Sequence, residues 1–357
     1  MPNPADSTPI EREFMHARRT IAVIAAAAAT ALTLAGCAGA TTDAATGAGD
    51  GAAASDAAFP VTIEHAFGET EIAETPERVA TWGWGSTEAA LALGVVPVAI
   101  AQQAYGANDD GVLPWVAEEL DELGAETPTI LTDDGEAPPY EELIEAAPDV
   151  ILAPYSGITE EQYELLSEIA PTVAYPDAAW TTPWREVVTT VGTALGLEAE
   201  AQGVLDDLDA ELDAQAEAHP ELAGKTVAAV WDVAGTFYVY TAEDSRVEFL
   251  SGLGLETAPS VTELANGDSP FFYTLSYEQL DQLDSDIVLS YHDTQEEADA
   301  FLASAPIGVI PAVARGQVAQ VVGTELIAAV SPPTALSLTY GLDELVASFA
   351  AAAEPAS

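Results

Sequence analysis

The 357-residue chain repeats itself. Tyr140-Glu-Glu-Leu143 followed by Asp149-Val-Ile-Leu152 returns as Tyr277-Glu-Gln-Leu280 followed by Asp286-Ile-Val-Leu289. Each reads as a helix feeding a buried strand opened by aspartate. Glu88-Ala-Ala-Leu-Ala-Leu-Gly94 likewise returns without a gap as Glu248-Phe-Leu-Ser-Gly-Leu-Gly254, a helix that starts near Glu and ends at a glycine C-cap. Two similar units in the same order predict two lobes of the same construction.

The intervening pattern alternates short β-rich runs with amphipathic ones. Strands are expected at Arg78–Trp82, Val95–Ala101, Asp149–Pro154, Thr226–Val233, Thr236–Thr241, Asp286–Tyr291 and Gln317–Val322. Capping boxes at Thr159–Gln162 and Ser276–Gln279 open two of the helices between them. Alternation of this kind implies α/β layers with mostly parallel sheets. The first lobe is assigned to residues 59–182 and the second to 221–357. Between them, 183–220 reads as a bridging helical segment, with Pro183 at the first helical position and Leu205, Leu208 and Leu212 at helical spacing up to His219-Pro220. A long helix between lobes is stiff and predicts a small closing motion.

The N-terminus has another purpose. Arg18 and Arg19 precede an uncharged apolar run, Ile21 to Leu34, and then Leu34-Ala35-Gly36-Cys37. A basic end, a short apolar stretch and small residues before a cut site make a secretory signal over residues 1–36. Met15 begins a more basic leader than Met1, so either initiation at Met15 or dispensability of the residues before it is expected. Leu-Ala-Gly-Cys resembles the lipobox of bacterial lipoproteins, which makes Cys37, the single cysteine, the lipidation site and the mature N-terminus. Residues 37–58 are Ala, Gly, Thr, Ser and Asp without periodicity, a flexible tether.

Charge narrows the partners. Sixty acidic residues face eight basic ones, net −52. Nucleic acid is excluded as a partner, since phosphate binding needs clustered Lys and Arg. Docking of the body on anionic lipid is excluded too, leaving the N-terminal lipid as the only membrane contact. A solvated, self-repelling surface suits a salty or exposed environment.

Several segments resemble the iron–siderophore and cobalamin-binding (class III) family of ABC transporter substrate-binding proteins. They are Thr75-Pro-Glu-Arg-Val79, Glu88 to Gly94 with Val95-Val-Pro-Val98, Ala147-Pro-Asp-Val-Ile151, Ile169-Ala-Pro-Thr-Val173, Asp244-Ser-Arg246 and Ser331-Pro-Pro-Thr-Ala-Leu-Ser-Leu338. In order and spacing they cover nearly all of residues 60–349. The resemblance implies an α/β fold of two doubly wound lobes joined by a long bridging helix, with a ligand cleft between the lobes. It implies an extracytoplasmic, lipid-anchored monomer that passes its ligand to a permease dimer with ATPase subunits. It also implies that one Glu on each lobe docks on permease arginines, a role that Glu88 and Glu248 fit, each six residues before its glycine.

Ligands of doubly wound sheets sit beyond the carboxyl ends of the strands. The aromatic residues at those ends are the candidate ligand contacts: Trp82 and Trp84 after the first strand, Tyr105 after the second, Tyr155 after the Asp149 strand, and Trp231, Phe272, Tyr273 and His292 in the second lobe, with Phe271–Tyr273 read as a loop. Tyr155 also matches a ligand-contact position of ferric-hydroxamate binders. The arginine those proteins carry before the preceding helix has no counterpart, because Gly135 and Glu136 occupy that region. Arg246 is the expected cleft cation. Arg185, on the bridge, is the candidate for a second cleft cation, whereas Arg78, Lys225 and Arg315 lie at strand starts or turns away from the cleft.

An Fe(III)–siderophore is the expected ligand, with no cofactor and no direct metal site, because the chelator fills the coordination sphere. His65, His219 and His292 lie on unrelated elements, which argues against direct metal capture. With so few cleft cations, a neutral or cationic ferric hydroxamate is expected over a triply anionic tris-catecholate. Haem or a corrinoid is the alternative ligand. A secreted hydrolase is a distant one, since no nucleophile elbow, phosphate loop or paired-cysteine site is present and the chain reads as a non-enzyme.

Overall fold

A computed structural model describes residues 59–354 except 268 and 270. The expected signal, Cys37 and the tether fall outside the described residues. A hairpin, β1 (Val61–His65) and β2 (Gly68–Ile72), precedes the first lobe. The first-lobe sheet holds β3 (Val79–Thr81), β4 (Ala99–Ala101), β5 (Thr129–Leu131), β6 (Val150–Leu152) and β7 (Thr172–Val173). They lie in the order β5-β4-β3-β6-β7, all parallel. The order reverses between β3 and β6, so this sheet is doubly wound and its switch point lies beyond those two strands. Helices α1 (Ser86–Ala92), α2 (Pro114–Glu122), α3 (Tyr140–Ala146) and α4 (Glu160–Ser167) connect the strands. The capping box opening α4 is complete, with Thr159 and Gln162 satisfying each other's backbone N–H.

The second sheet is built on β8 (Thr226–Val233), β9 (Thr236–Tyr240), β10 (Glu256–Thr257), β11 (Phe272–Leu275), β12 (Ile287–His292) and β13 (Val318–Val322). Its order is β11-β9-β8-β12-β13, with β10 beside the start of β8. Strands β8, β12 and β13 are parallel, whereas β9 alone runs against them, pairing antiparallel with β8 on one side and β11 on the other. Phe272 and Tyr273 therefore lie in an edge strand, where a loop was expected. Buried Tyr273 and Leu275 alternate with more accessible Phe272 and Thr274, which suits a half-buried strand better than a loop. Ser276 does not open a capping box either. Its hydroxyl accepts from the Glu278 N–H and starts a 3-10 turn, Tyr277–Gln282.

The internal repeat is structural. Asp149 takes the backbone N–H groups of Glu77 (2.8 Å) and Arg78 (2.9 Å), just before β3. Asp286 takes the N–H of Thr226 (2.9 Å) at the start of β8. In each lobe the aspartate that opens one strand clamps the start of its parallel neighbour. Strand-edge amides that would otherwise face solvent are satisfied, and the register of the central pair is fixed.

Two helices, α5 (Trp184–Leu195) and α6 (Glu198–Ala218), replace one uninterrupted bridge. Pro183 precedes α5 as its N-cap. Gly196 adopts the left-handed conformation at φ 69° and ends α5. Leu205, Leu208 and Leu212 of α6 are buried as their spacing predicts.

Candidate functional site

Strand alternation sorts the aromatic residues. On β8, Val227, Ala229 and Trp231 share one face, while Ala228 and Val230 face the second lobe's own core. The same alternation puts Tyr238 and Tyr240 of β9, Phe272 of β11 and Tyr291 of β12 on the Trp231 face. Their rings form a continuous wall. Tyr238 meets Phe272 edge-on at 5.5 Å, Trp231 lies 5.8 Å from Tyr291, and Tyr291 lies 6.2 Å from Tyr240. Tyr105 of the first lobe continues the wall, 6.5 Å from Trp231, and its hydroxyl donates to Asp293 (2.5 Å).

The first lobe supplies the opposite side from its switch point. Gly83, at φ 85°, turns the chain after β3, so that the Trp84 N–H donates to the Tyr155 carbonyl (3.0 Å). The Trp84 indole then reaches across to donate to the Pro332 carbonyl (3.1 Å) of the second lobe. Tyr155 is nearly buried and meets Trp180 edge-on at 5.6 Å. Trp180 is 43% exposed and holds a positive φ of 61°, uncommon for a residue with a side chain. It had no strand or motif to mark it in the sequence.

Arg246 lies at the centre. A short helix, α7 (Ser245–Glu248), is capped by Asp244, whose carboxylate accepts from the Arg246 N–H (2.9 Å) and from Arg246 Nε (2.7 Å). The guanidinium lies 3.9 Å over the Tyr240 ring. Asp244 is 5% exposed and the Arg246 side chain 15%. Burial pushes the Tyr155 hydroxyl up to about 12, with Asp244 adding to the effect. Burial also raises Tyr240 and Tyr291. All three stay neutral phenols at physiological pH, offering O–H donors and no charge. The buried hydroxyls of Tyr291 and Ser331 face each other without forming a sound hydrogen bond. Between the lobes, Trp84, Tyr155, Trp184, Val187 and Pro332 line a crevice of ≈ 10 Å³, space for about one water.

Thus Trp84, Tyr105, Tyr155, Trp231, Arg246 and Phe272 come together as expected. Three others do not. Trp82 is in phase with Ala80 and packs into the first-lobe core beside Ala99 and Ile151. Tyr273, in phase with Leu275, is 1% exposed in the second-lobe core. His292 turns away from the cleft, bonding Ser290 (3.0 Å) and packing 5.0 Å from Phe301. In each case the period of two carries the side chain to the wrong face. Tyr238, Tyr240 and Tyr291 were missed for the same reason, and the register was the signal that would have found them.

The docking pair also divides. Glu88 is 3% exposed and accepts from Trp115 Nε1 (3.2 Å), and burial raises its pKa. It cannot serve as an exposed docking carboxylate. Its helix is buried on nearly every face, because α1 lies between the sheet and α2 and α5. The Glu248 side chain remains 38% exposed, facing Arg185 at 3.5 Å. Arg185 also holds Asp209 of α6 at 2.5 Å. Among the described residues no group of three metal-ligating side chains could hold an ion, and no helix is long and apolar enough to cross a membrane.

This two-lobed architecture with a walled seam is that of a solute receptor. Residues 79–321 match the family described as Periplasmic binding protein, and the chain belongs to that family, whose members bind solutes outside the cytoplasm. PiaA of Streptococcus pneumoniae TIGR4, solved in complex with ferrichrome, is similar at 36% identity and TM-score 0.75, over 82% of this chain and 98% of that one. A periplasmic solute binding protein from Mycobacterium smegmatis is 27% identical with TM-score 0.69, over 82% and 99%. FhuD2 from Staphylococcus aureus, with bound ferrioxamine B, shares the fold at 16% identity and TM-score 0.59, over 78% and 100%. No curated protein matches the chain in sequence.

Proposed function

We propose that the protein is the lipid-anchored substrate-binding component of an ABC importer and captures a neutral or cationic ferric siderophore of the hydroxamate type. The observation that carries this reading is Arg246, set among the neutral hydroxyls of Tyr155, Tyr240 and Tyr291 where the lobes meet. Hydroxamate oxygens around iron accept hydrogen bonds, and the aromatic wall takes the apolar rim of the chelate by dispersion. The similarity to ferrichrome-bound PiaA supports the same ligand class. Iron is cargo inside its chelator and needs no ligand from this chain.

The remaining cations among the described residues lie elsewhere. Arg78 bonds the Ala146 and Ala147 carbonyls, Arg315 the Ser285 carbonyl, and Arg185 the bridge, while Lys225 precedes β8. A triply anionic complex would meet one arginine that is already paired. Titration with ferrichrome, ferrioxamine B and a ferric tris-catecholate, followed by tryptophan fluorescence at low and physiological salt, tests the reading. Quenching by the hydroxamates at lower concentration is expected. Tighter tris-catecholate binding at both salts would overturn it.

Anchoring rests on Cys37 within Leu-Ala-Gly-Cys. Cys37→Ser is expected to move the protein from the membrane to the soluble fraction with its unfolding midpoint unchanged, because the described fold begins at residue 59. A variant still sedimenting with membranes would remove the anchor. Docking on a permease rests on Glu248 alone, as the exposed member of the repeat pair.

A further inference from the structure

We propose that Asp244 determines the charge of the ligand this cleft accepts, by cancelling the positive charge of Arg246 while fixing its orientation. The inference rests on the siderophore reading and adds the residue that selects within that class.

The geometry separates two tasks of one carboxylate. Oδ1 of Asp244 caps α7 and takes Arg246 Nε, so the guanidinium is held by its inner nitrogen, with its plane laid over Tyr240. An uncharged oxygen in the place of Asp244 Oδ1 could accept the same Arg246 N–H and Nε–H, and the Tyr240 ring lies against the guanidinium face in either case. The negative charge is therefore not needed for placement. Asp244 is 5% exposed, so solvent screens it weakly, and its field reaches any ligand touching Arg246. Asp293 and Glu297 add the same sign on the Tyr105 side of the seam. Around the pair, Tyr155, Tyr240 and Tyr291 are neutral. Together these groups present directed donors with no net positive charge. An uncharged trihydroxamate gains hydrogen bonds and carries no net charge on which the negative field can act. A triply anionic tris-catecholate meets Asp244 as a like charge a few ångströms behind the arginine that would have to hold it.

Asp244→Asn is the direct test, made in the full chain. Asparagine caps helices as well as aspartate and still accepts from Arg246, so only the charge is lost. Its ratio of tris-catecholate to ferrichrome dissociation constants, the quantity that reads charge selection, is expected to fall by at least about tenfold. An unchanged ratio overturns the inference while leaving hydroxamate capture standing. A wild-type chain that prefers the tris-catecholate overturns the functional reading, yet the shift on substitution still decides the role of Asp244. Should the single variant be unstable, Arg246→Gln carries the test alone and combined with Asp244→Asn. The double variant is expected to show a tris-catecholate to ferrichrome ratio of dissociation constants lower than that of Arg246→Gln, which keeps the buried carboxylate. An equal or higher ratio overturns the proposal.

Discussion

Replacing Arg246 with alanine is expected to weaken ferric hydroxamate binding by at least about a hundredfold, roughly 2.8 kcal/mol. Two losses add. The ligand loses its charged donor, and Asp244 is left as a buried carboxylate without its partner. Removing one member of a buried pair typically costs about 3–5 kcal/mol, because the survivor keeps its desolvation penalty. Part of that cost falls on folding, so the unfolding midpoint in urea should drop as well. Arg246→Lys separates the effects. Lysine keeps the charge near Asp244 but has neither the flat face that stacks on Tyr240 nor a nitrogen in the Nε position. It should recover most of the stability and little of the affinity. Fluorescence titration beside urea denaturation reads both quantities. Alanine binding within about threefold of wild type would show that Arg246 does not touch the ligand.

How much of this was legible in the chain follows from the kind of signal each feature leaves. The repeat with its two aspartates foretold two lobes, because a carboxylate that clamps a neighbouring strand must recur wherever that strand pair recurs. The length of α6 was readable from Leu205, Leu208 and Leu212, since a helix buries one stripe and marks it at every turn. Strand β11 was hidden by its own aromatics, which suit a binding loop and an edge strand equally. The site was half legible for a sharper reason. Sequence shows that an aromatic stands at a strand end, and a side chain there points to one of two faces according to parity. Tyr291 and His292 are adjacent, and parity sends the first to the cleft and the second to Phe301. Fixing parity requires one residue of known facing on the same strand. On β12, the run Ile287 to Leu289 is apolar at every position because both faces are buried, so no such reference exists. Glu88 misled in the same way. A glutamate on a short helix is usually a surface residue, and its indole partner Trp115 is 27 positions away in the chain.

The turn after β3 is where local backbone geometry and the site depend on each other most directly, and Gly83→Ala should expose it. Gly83 sits at φ 85°, where a side chain costs about 1–2 kcal/mol. A Cβ there would lie 2.4 Å from the Tyr155 carbonyl oxygen and 3.0 Å from Ser156 Cβ. The nearest obstacle is backbone, which cannot swing aside as a long side chain would. The two loops of the switch point must separate, and the Trp84 N–H then loses the Tyr155 carbonyl that it now meets at 3.0 Å. That bond contributes about 1 kcal/mol. With the clash, the total destabilisation should reach about 3 kcal/mol, at the upper end for a single substitution. The effect on function should be larger than stability alone explains. Trp84 donates across the seam to Pro332, and Tyr155 faces Arg246, so both contacts shift when the loops part. Urea unfolding and ferrichrome titration of the folded fraction together test this. A loss of stability under about 1 kcal/mol with unchanged affinity would show that the turn relaxes without moving Trp84 or Tyr155, and that the switch point does not hold the first-lobe side of the cleft.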